Sequence, residues 1–210
     1  MKKIKTRNKN ILCILLSTIS GYILTLEVFS EVIPVYIGTT GFVYPLVLYM
    51  TLFATIILFY IIFQILFNKH LSKSMVICLF IMYFILLTAI LFFRHTFERY
   101  LIINPFVGVL DVISDSEMLK QSLLNIIIFV PMGYLFRNKK MKETFITALL
   151  LSLGIETIQY FFKLGFFDTF DCILYILGIL LGRYIFKKID IEKLLRFDNE
   201  EPEDSGSSYK

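Results

Sequence analysis

Six blocks of predominantly apolar residues alternate with short polar segments along the chain. Each block has 18 to 26 residues, and about 20 apolar residues are needed for a helix to cross the hydrocarbon core of a bilayer. Only 18% of the 210 residues are charged, whereas 57% are hydrophobic. The blocks are residues 11–29, 42–67, 75–93, 119–136, 143–162 and 166–186. The sequence therefore predicts an all-α polytopic transmembrane helix bundle with about six spans and no room for a sizeable soluble domain.

The distribution of Lys and Arg predicts the orientation of these spans, because cytoplasmic loops carry an excess of basic residues. With six spans both termini lie on one side of the membrane, and that side carries 17 of the 21 basic residues. We therefore expect both termini to be cytoplasmic. The net charge of +4 is then explained by basic residues beside anionic lipid, and it does not indicate a nucleic-acid partner.

Changes in composition along the chain predict its organisation. The basic start and the first apolar block are expected to form a retained span rather than a cleaved signal, since the apolar run is too long for a signal core. Residues 1–74 are predicted to form an N-terminal pair of transmembrane helices, and residues 75–188 a second transmembrane domain. The acidic, apolar-poor residues 189–210 predict a disordered cytoplasmic tail.

The three cysteines give no sign of a metal site or a disulfide framework. Cys13, Cys78 and Cys172 all lie in separate apolar blocks, whereas a zinc site needs clustered ligands. We expect them to pack as small apolar residues, and we expect no metal and no cofactor.

Three polar side chains lie at one depth in three consecutive spans. Asn125, Glu156 and Asp171 each stand five or six residues, about 8–9 Å, below the span end predicted to face outward. A carboxylate in hydrocarbon is unfavourable by about 2.5–3.5 kcal/mol on insertion scales, so it is expected to face a polar interior. Two interpretations of Glu156 remain: a functional group in a pocket, or a hydrogen-bonded residue that holds two helices together.

The spacing of the polar residues extends this group. Ser152, Glu156 and Gln159 share one face of the fifth span at i, i+4 and i+7, and Asp168 stands three residues before Asp171. Asp168 is also close enough to the interface to be solvated there. The predicted outward-facing pocket comprises Asn125, Ser152, Glu156, Gln159, Asp168 and Asp171.

Proline and glycine residues predict a kink and close helix packing. Pro131 removes a backbone donor, so we expect it to kink the fourth span and free the carbonyl of Ile127. Gly133 adds room beside it. Gly178 and Gly182 form a small-xxx-small pair that lets another helix backbone come close.

Three motifs in order resemble the VanZ-like family of bacterial membrane proteins. They are NIIIFVPMG, SLGIETIQ and DTFDCILYILGILLG, and the resemblance covers residues 85–186, leaving the first two spans outside it. It departs from the family pattern at Gly165, where the family has Arg, at Tyr175, where it has Asn, and at Ile102, where it has Asn. The resemblance makes residues 75–188 a VanZ-like domain in the bacterial cell membrane.

The resemblance implies an association with resistance to glycopeptide antibiotics, especially teicoplanin, without an established mechanism or reaction. We expect a non-enzymatic pocket that binds membrane lipid, a lipid-linked cell-wall precursor or the glycopeptide. Two alternatives remain open. One is a metal-dependent enzyme acting on lipid-linked phosphate, with Glu156, Asp168 and Asp171 as oxygen ligands. The other is a proton-coupled transporter, with Glu156 as the coupling site and Pro131 as a hinge.

Overall fold

A computed structural model describes residues 2–39, 41–68, 73–92 and 100–188. Within them the chain is almost entirely helical, with two strands of two residues each. The helices are α1 (Lys2–Leu24), α2 (Ser30–Ile37), α3 (Val43–Asn68), α4 (Lys73–Phe92), α5 (Pro105–Ser114), α6 (Ser116–Phe129), α7 (Met141–Phe162) and α8 (Thr169–Lys188). A π-helical turn (Thr25–Phe29) joins α1 to α2, and a 3-10 segment (Pro131–Phe136) follows α6. The strands are β1 (Leu101–Ile102) and β2 (Phe167–Asp168).

Six helical stretches are long and apolar enough to cross a membrane, which confirms the predicted all-α polytopic fold. They are Lys9–Ile37, Val43–Phe67, Ser74–Phe92, Ser116–Phe136, Met141–Phe162 and Thr169–Lys188. The first is longer than predicted because the helix continues through the π-helical turn and past Pro34 in α2. The cytoplasmic placement of the termini and the division at residue 74 stay predictions. The predicted tail, residues 189–210, lies outside the described residues.

The chain forms two compact units. Among the described residues, the first comprises 2–32, 45–68 and 73–86, and the second comprises 33–39, 41–44, 87–92 and 100–188.

Within the first unit, α1 and α3 come into backbone contact. A Cβ on Gly21 would lie 2.9 Å from the backbone nitrogen of Ile56. One turn further along, the hydroxyl groups of Thr25 and Thr55 share a hydrogen bond of 3.1 Å. Small and hydroxyl side chains of this kind let membrane helices pack closely.

In the second unit, α8 is the central helix. In its most apolar stretch 44% of the residues are buried, against 22–28% in the other spans. Its glycines make this possible, because a Cβ on Gly178 would overlap the Ile126 carbonyl oxygen and one on Gly182 would overlap the Val130 carbonyl oxygen. A Cβ on Gly133 would in turn overlap the backbone of α8. The backbones of α6 and the 3-10 segment therefore lie directly against α8.

Pro131 changes the type of helix rather than leaving a free carbonyl. The α-helix α6 ends at Phe129, and the Val130 N–H donates to the Ile127 carbonyl at 3.1 Å. The Gly133 N–H then donates to Val130 at 3.0 Å. The prediction of a free Ile127 carbonyl is wrong, because tighter i to i+3 bonding supplies a donor in place of the one that proline lacks.

The two short strands join the ends of distant segments. β1 and β2 pair in parallel, with Leu101 opposite Phe167 and Ile102 opposite Asp168. The Phe167 N–H also donates to the Tyr100 carbonyl at 3.1 Å. This pairing attaches the segment before α5 to the turn before α8.

Candidate functional site

A cavity of about 230 Å³ lies in the second unit, beside the first turn of α8 and the last turns of α7. A cavity of this size holds several water molecules or a polar head group. Apolar residues from α4, α5 and β1 contribute to its wall. The polar and charged residues that line it are Tyr36, Asp111, Gln121, Ser122, Asn125, Gln159, Asp168, Asp171 and Tyr175.

Asn125 is the hydrogen-bonding centre of this wall. It is buried in α6, and its Nδ2 donates to Asp171 Oδ1 at 2.9 Å. Its Oδ1 accepts from the Tyr36 hydroxyl at 3.1 Å. The side chains of α2, α6 and α8 are thus connected through one amide, and the shared depth of Asn125 and Asp171 corresponds to a direct contact.

Glu156 lies behind the wall and supports the turn that precedes α8. Its side chain is only 1% exposed. Its Oε2 accepts from the Asp168 N–H at 2.9 Å, and the Tyr175 hydroxyl interacts with the same carboxyl group. Its Oε1 is buried and has no hydrogen-bond partner among the described residues. The carboxyl group therefore positions β2 and the start of α8 through one of its two oxygen atoms.

The other two residues of the predicted stripe on α7 differ in their surroundings. Gln159 lines the cavity, and its Nε2 donates to the Leu91 carbonyl at 2.9 Å. This bond satisfies one of the last carbonyls of α4. Ser152 lies one turn deeper than Glu156, is fully buried, and donates to the Leu149 carbonyl of its own helix at 3.0 Å. Four of the six predicted pocket residues thus line the cavity, whereas Ser152 and Glu156 lie behind it.

Asp168 caps α8. Its Oδ1 accepts from the Phe170 N–H at 2.8 Å, which is the bond expected of an aspartate at a helix N-cap. Burial raises the pKa of this carboxyl above its usual value near 3.8. The bond from the Phe170 N–H opposes that shift, and the charge of Asp111 adds to it. The residue is therefore a structural cap that also faces the cavity.

Sequence reasoning missed the contribution of α2 and α5. Tyr36 and Asp111 both line the cavity, although residue 36 was expected in an outer loop and residue 111 in another. Gly108 anchors α5, because a Cβ there would overlap the ring of Phe170. None of these residues belongs to one of the three motifs. The apolar segment that forms α5 is also too short to be predicted as a membrane span.

A family model described as VanZ/LLP1 matches residues 42–191, which is 150 of the 210 residues. The chain belongs to the VanZ/LLP1 family. The match begins at α3 and is wider than the motif-bearing residues 85–186, so the prediction that the first two spans both lie outside the resemblance is wrong for the second. Comparison with curated proteins and with solved structures gave no significant match.

The departures from the VanZ pattern have visible consequences. Gly165 lines the cavity, and a Cβ there would stand 3.4 Å from the Cβ of Gln159, so the position has space for a side chain. Tyr175 stacks on Phe129 with ring centroids 4.3 Å apart, and it also lines the cavity. The chain therefore has an aromatic ring at one of these three positions and no side chain at another.

In the described part of the chain, no three His, Cys, Asp or Glu side chains are grouped closely enough to hold a metal ion. Asp171 bonds to Asn125, Asp168 caps α8, and Glu156 accepts from a backbone N–H. The cysteines Cys13 and Cys172 are buried and Cys78 is exposed, all with free thiols. No observation in these residues favours the metal-dependent enzyme.

Replacing Asp168 with asparagine is expected to flatten the dependence of stability on pH. The pKa of the Asp168 carboxyl is raised in the folded protein. The carboxyl therefore favours folding at a pH below its ordinary pKa, and this contribution to stability is lost as the pH rises through the raised pKa. Asparagine caps a helix about as well as aspartate and does not titrate. The unfolding temperature of Asp168→Asn in detergent should therefore fall less than that of the wild type as the pH rises from about 4.

Asp168→Ala is the matched control. It removes the cap as well as the charge, so its unfolding free energy should be lower than that of Asp168→Asn by about 1 kcal/mol across the pH range. Identical pH profiles for the wild type and Asp168→Asn would contradict the assignment.

Proposed function

We propose that this protein binds part of the polar head of an amphiphilic molecule in the cavity, from the outer leaflet of the bacterial cell membrane. Binding of a lipid-linked cell-wall precursor or of the glycopeptide itself changes susceptibility to teicoplanin-type antibiotics. Membership of the VanZ/LLP1 family supports the choice of antibiotic class. The excess of basic residues on the opposite side of the predicted topology supports an outward orientation.

The cavity carries the proposal. Its volume of about 230 Å³ is below the range of pockets that enclose a drug-sized ligand. Only part of a polar head group fits, such as one sugar ring or one peptide residue, and the rest of the molecule stays outside the cavity. The carboxyl and amide groups of Asp111, Gln121 and Asp168 offer acceptors to N–H and O–H donors, which are abundant in peptide and sugar head groups.

A binding role accounts for the polar groups better than catalysis does. Asn125, Asp171 and Glu156 are each fixed by a hydrogen bond to a neighbouring element. Groups fixed in this way form a preorganised binding surface. A protein of this kind acts by sequestering or presenting its ligand, and it requires no cofactor.

Filling the cavity tests the proposal in cells. In a host whose copy of the gene is deleted, complementation with Ser122→Phe should leave the cells sensitive to teicoplanin, because the ring would occupy the space of the head group. The matched control is Leu123→Phe, since Leu123 is the next residue of α6 but is exposed on the outside of the helix. This variant should protect like the wild type at an equal protein level. Full protection by Ser122→Phe would contradict the proposal.

Binding by purified protein identifies the occupant. Wild type and Ser122→Phe, each in lipid nanodiscs, are titrated with teicoplanin and, separately, with lipid-linked cell-wall precursor. We expect one of the two to bind the wild type at least about tenfold more tightly than Ser122→Phe, which corresponds to about 1.4 kcal/mol. Equal affinities for both molecules would contradict binding in the cavity.

A further inference from the structure

Helix α5 is apolar on its surface but too short to cross a membrane. Its ten residues extend about 15 Å, about half the thickness of the hydrocarbon core. Phe106 is 70% exposed, Leu110 65% and Ile113 78%. Their spacing of i, i+4 and i+7 places them on one stripe of the helix. Leu101 and Ile103, just before α5, are also exposed.

The opposite side of α5 is bound to the protein. Gly108 is buried against the ring of Phe170, at a distance that leaves no room for a Cβ. Asp111 and Val112 line the cavity. The apolar stripe is therefore held in a fixed direction, away from the cavity and away from α8.

The stripe is followed in the chain by a span that also exposes apolar side chains. Only Asp115 separates α5 from α6, and α6 exposes Leu119 and Leu123 on its outside. An exposed apolar helix of this length, too short to span and packed on the protein by its other side, fits an interfacial position, in which a helix lies in the plane of the membrane with its apolar side about 5–10 Å deep.

We propose that α5 lies in the membrane interface, with Phe106, Leu110 and Ile113 among the lipid acyl chains and Asp111 facing the cavity. In this position α5 forms the wall between the cavity and the bilayer. The inference concerns how the protein sits in lipid, and it holds whether or not a ligand occupies the cavity.

The absence of tryptophan from the chain allows a direct test with single-tryptophan variants. Phe106→Trp, Leu110→Trp and Ile113→Trp are each reconstituted into phosphatidylcholine vesicles that contain lipids brominated near the head group or near the chain end. All three positions are exposed, so the substitutions should be tolerated. We expect strong quenching by the shallow bromines, weaker quenching by the deep ones, and little quenching by acrylamide in the water.

Two control variants bracket the result. Leu123→Trp, further along α6, should be quenched more by the deep bromines. Glu117→Trp, whose native side chain is 72% exposed next to Lys120, should be quenched by acrylamide several-fold more strongly than Ile113→Trp. Strong acrylamide quenching at all three positions of the stripe would place it in water and overturn the proposal. Protection from both quenchers, together with dimers in cross-linking, would show that a second copy covers the stripe and would overturn it as well.

Discussion

Gly182→Ala is expected to destabilise the folded protein by about 2 kcal/mol or more, although alanine is the better helix former. A Cβ at this position would overlap the Val130 carbonyl oxygen and stand 3.1 Å from the Cα of Gly133. Both neighbours are backbone atoms, so no side chain can rotate away, and α8 must move from the 3-10 segment. Overpacking of this kind costs about 1–3 kcal/mol. The measurement is the unfolding free energy in detergent, followed by circular dichroism.

Gly154→Ala is the matched control for this prediction. Gly154 lies in α7, and no heavy atom of a neighbouring residue would come within 4 Å of its Cβ. The same substitution should therefore stabilise the protein by up to about 1 kcal/mol through helix propensity alone. If the two variants changed stability by the same amount, the close packing of α8 would not be what Gly182 provides.

Glu156→Leu is expected to lower the unfolding free energy by about 1–3 kcal/mol, because the partly buried Asp168 N–H would lose its acceptor. The start of α8 would then shift, so protection against teicoplanin should be lost as well. Glu156→Gln keeps a carbonyl oxygen for the same N–H and should retain both stability and protection. Unfolding in detergent and susceptibility of complemented cells measure the two effects.

Glu143 offers the comparison on the same helix. It is exposed in the first turn of α7, so Glu143→Leu should change neither stability by more than about 0.5 kcal/mol nor protection. A folded Glu156→Gln that has lost protection would show that the carboxyl acts through its proton, and that outcome would favour the transporter.

Depth along predicted spans was the most informative quantity in the sequence. It placed Asn125 and Asp171 at one level, and the structure joins them by a hydrogen bond of 2.9 Å. It worked because the rise of a helix is fixed, so residue number converts directly into depth. The periodicity of α7 was less informative, since Ser152 shares a face with Glu156 but lies too deep to reach the cavity.

The contributions of Tyr36 and Asp111 could not have been predicted in the same way. Tyr36 reaches Asn125 across 89 residues of sequence, and that contact depends on the continuation of the first helix through a π-helical turn. Asp111 belongs to α5, which is too short to cross the membrane, so its depth could not be estimated by counting residues along a predicted span. In both cases tertiary packing, rather than local periodicity, determines the position of the side chain.

The pairing of β1 with β2 determines which substitutions the residues of these two strands can accept. The join is made by main-chain groups, so it does not depend on which side chains stand at positions 101, 102 and 167. We expect these positions to accept many substitutions, apart from proline, which lacks the N–H that such a pairing uses. The side chains of the two strands can therefore change while the main-chain pairing still attaches the segment before α5 to the start of α8.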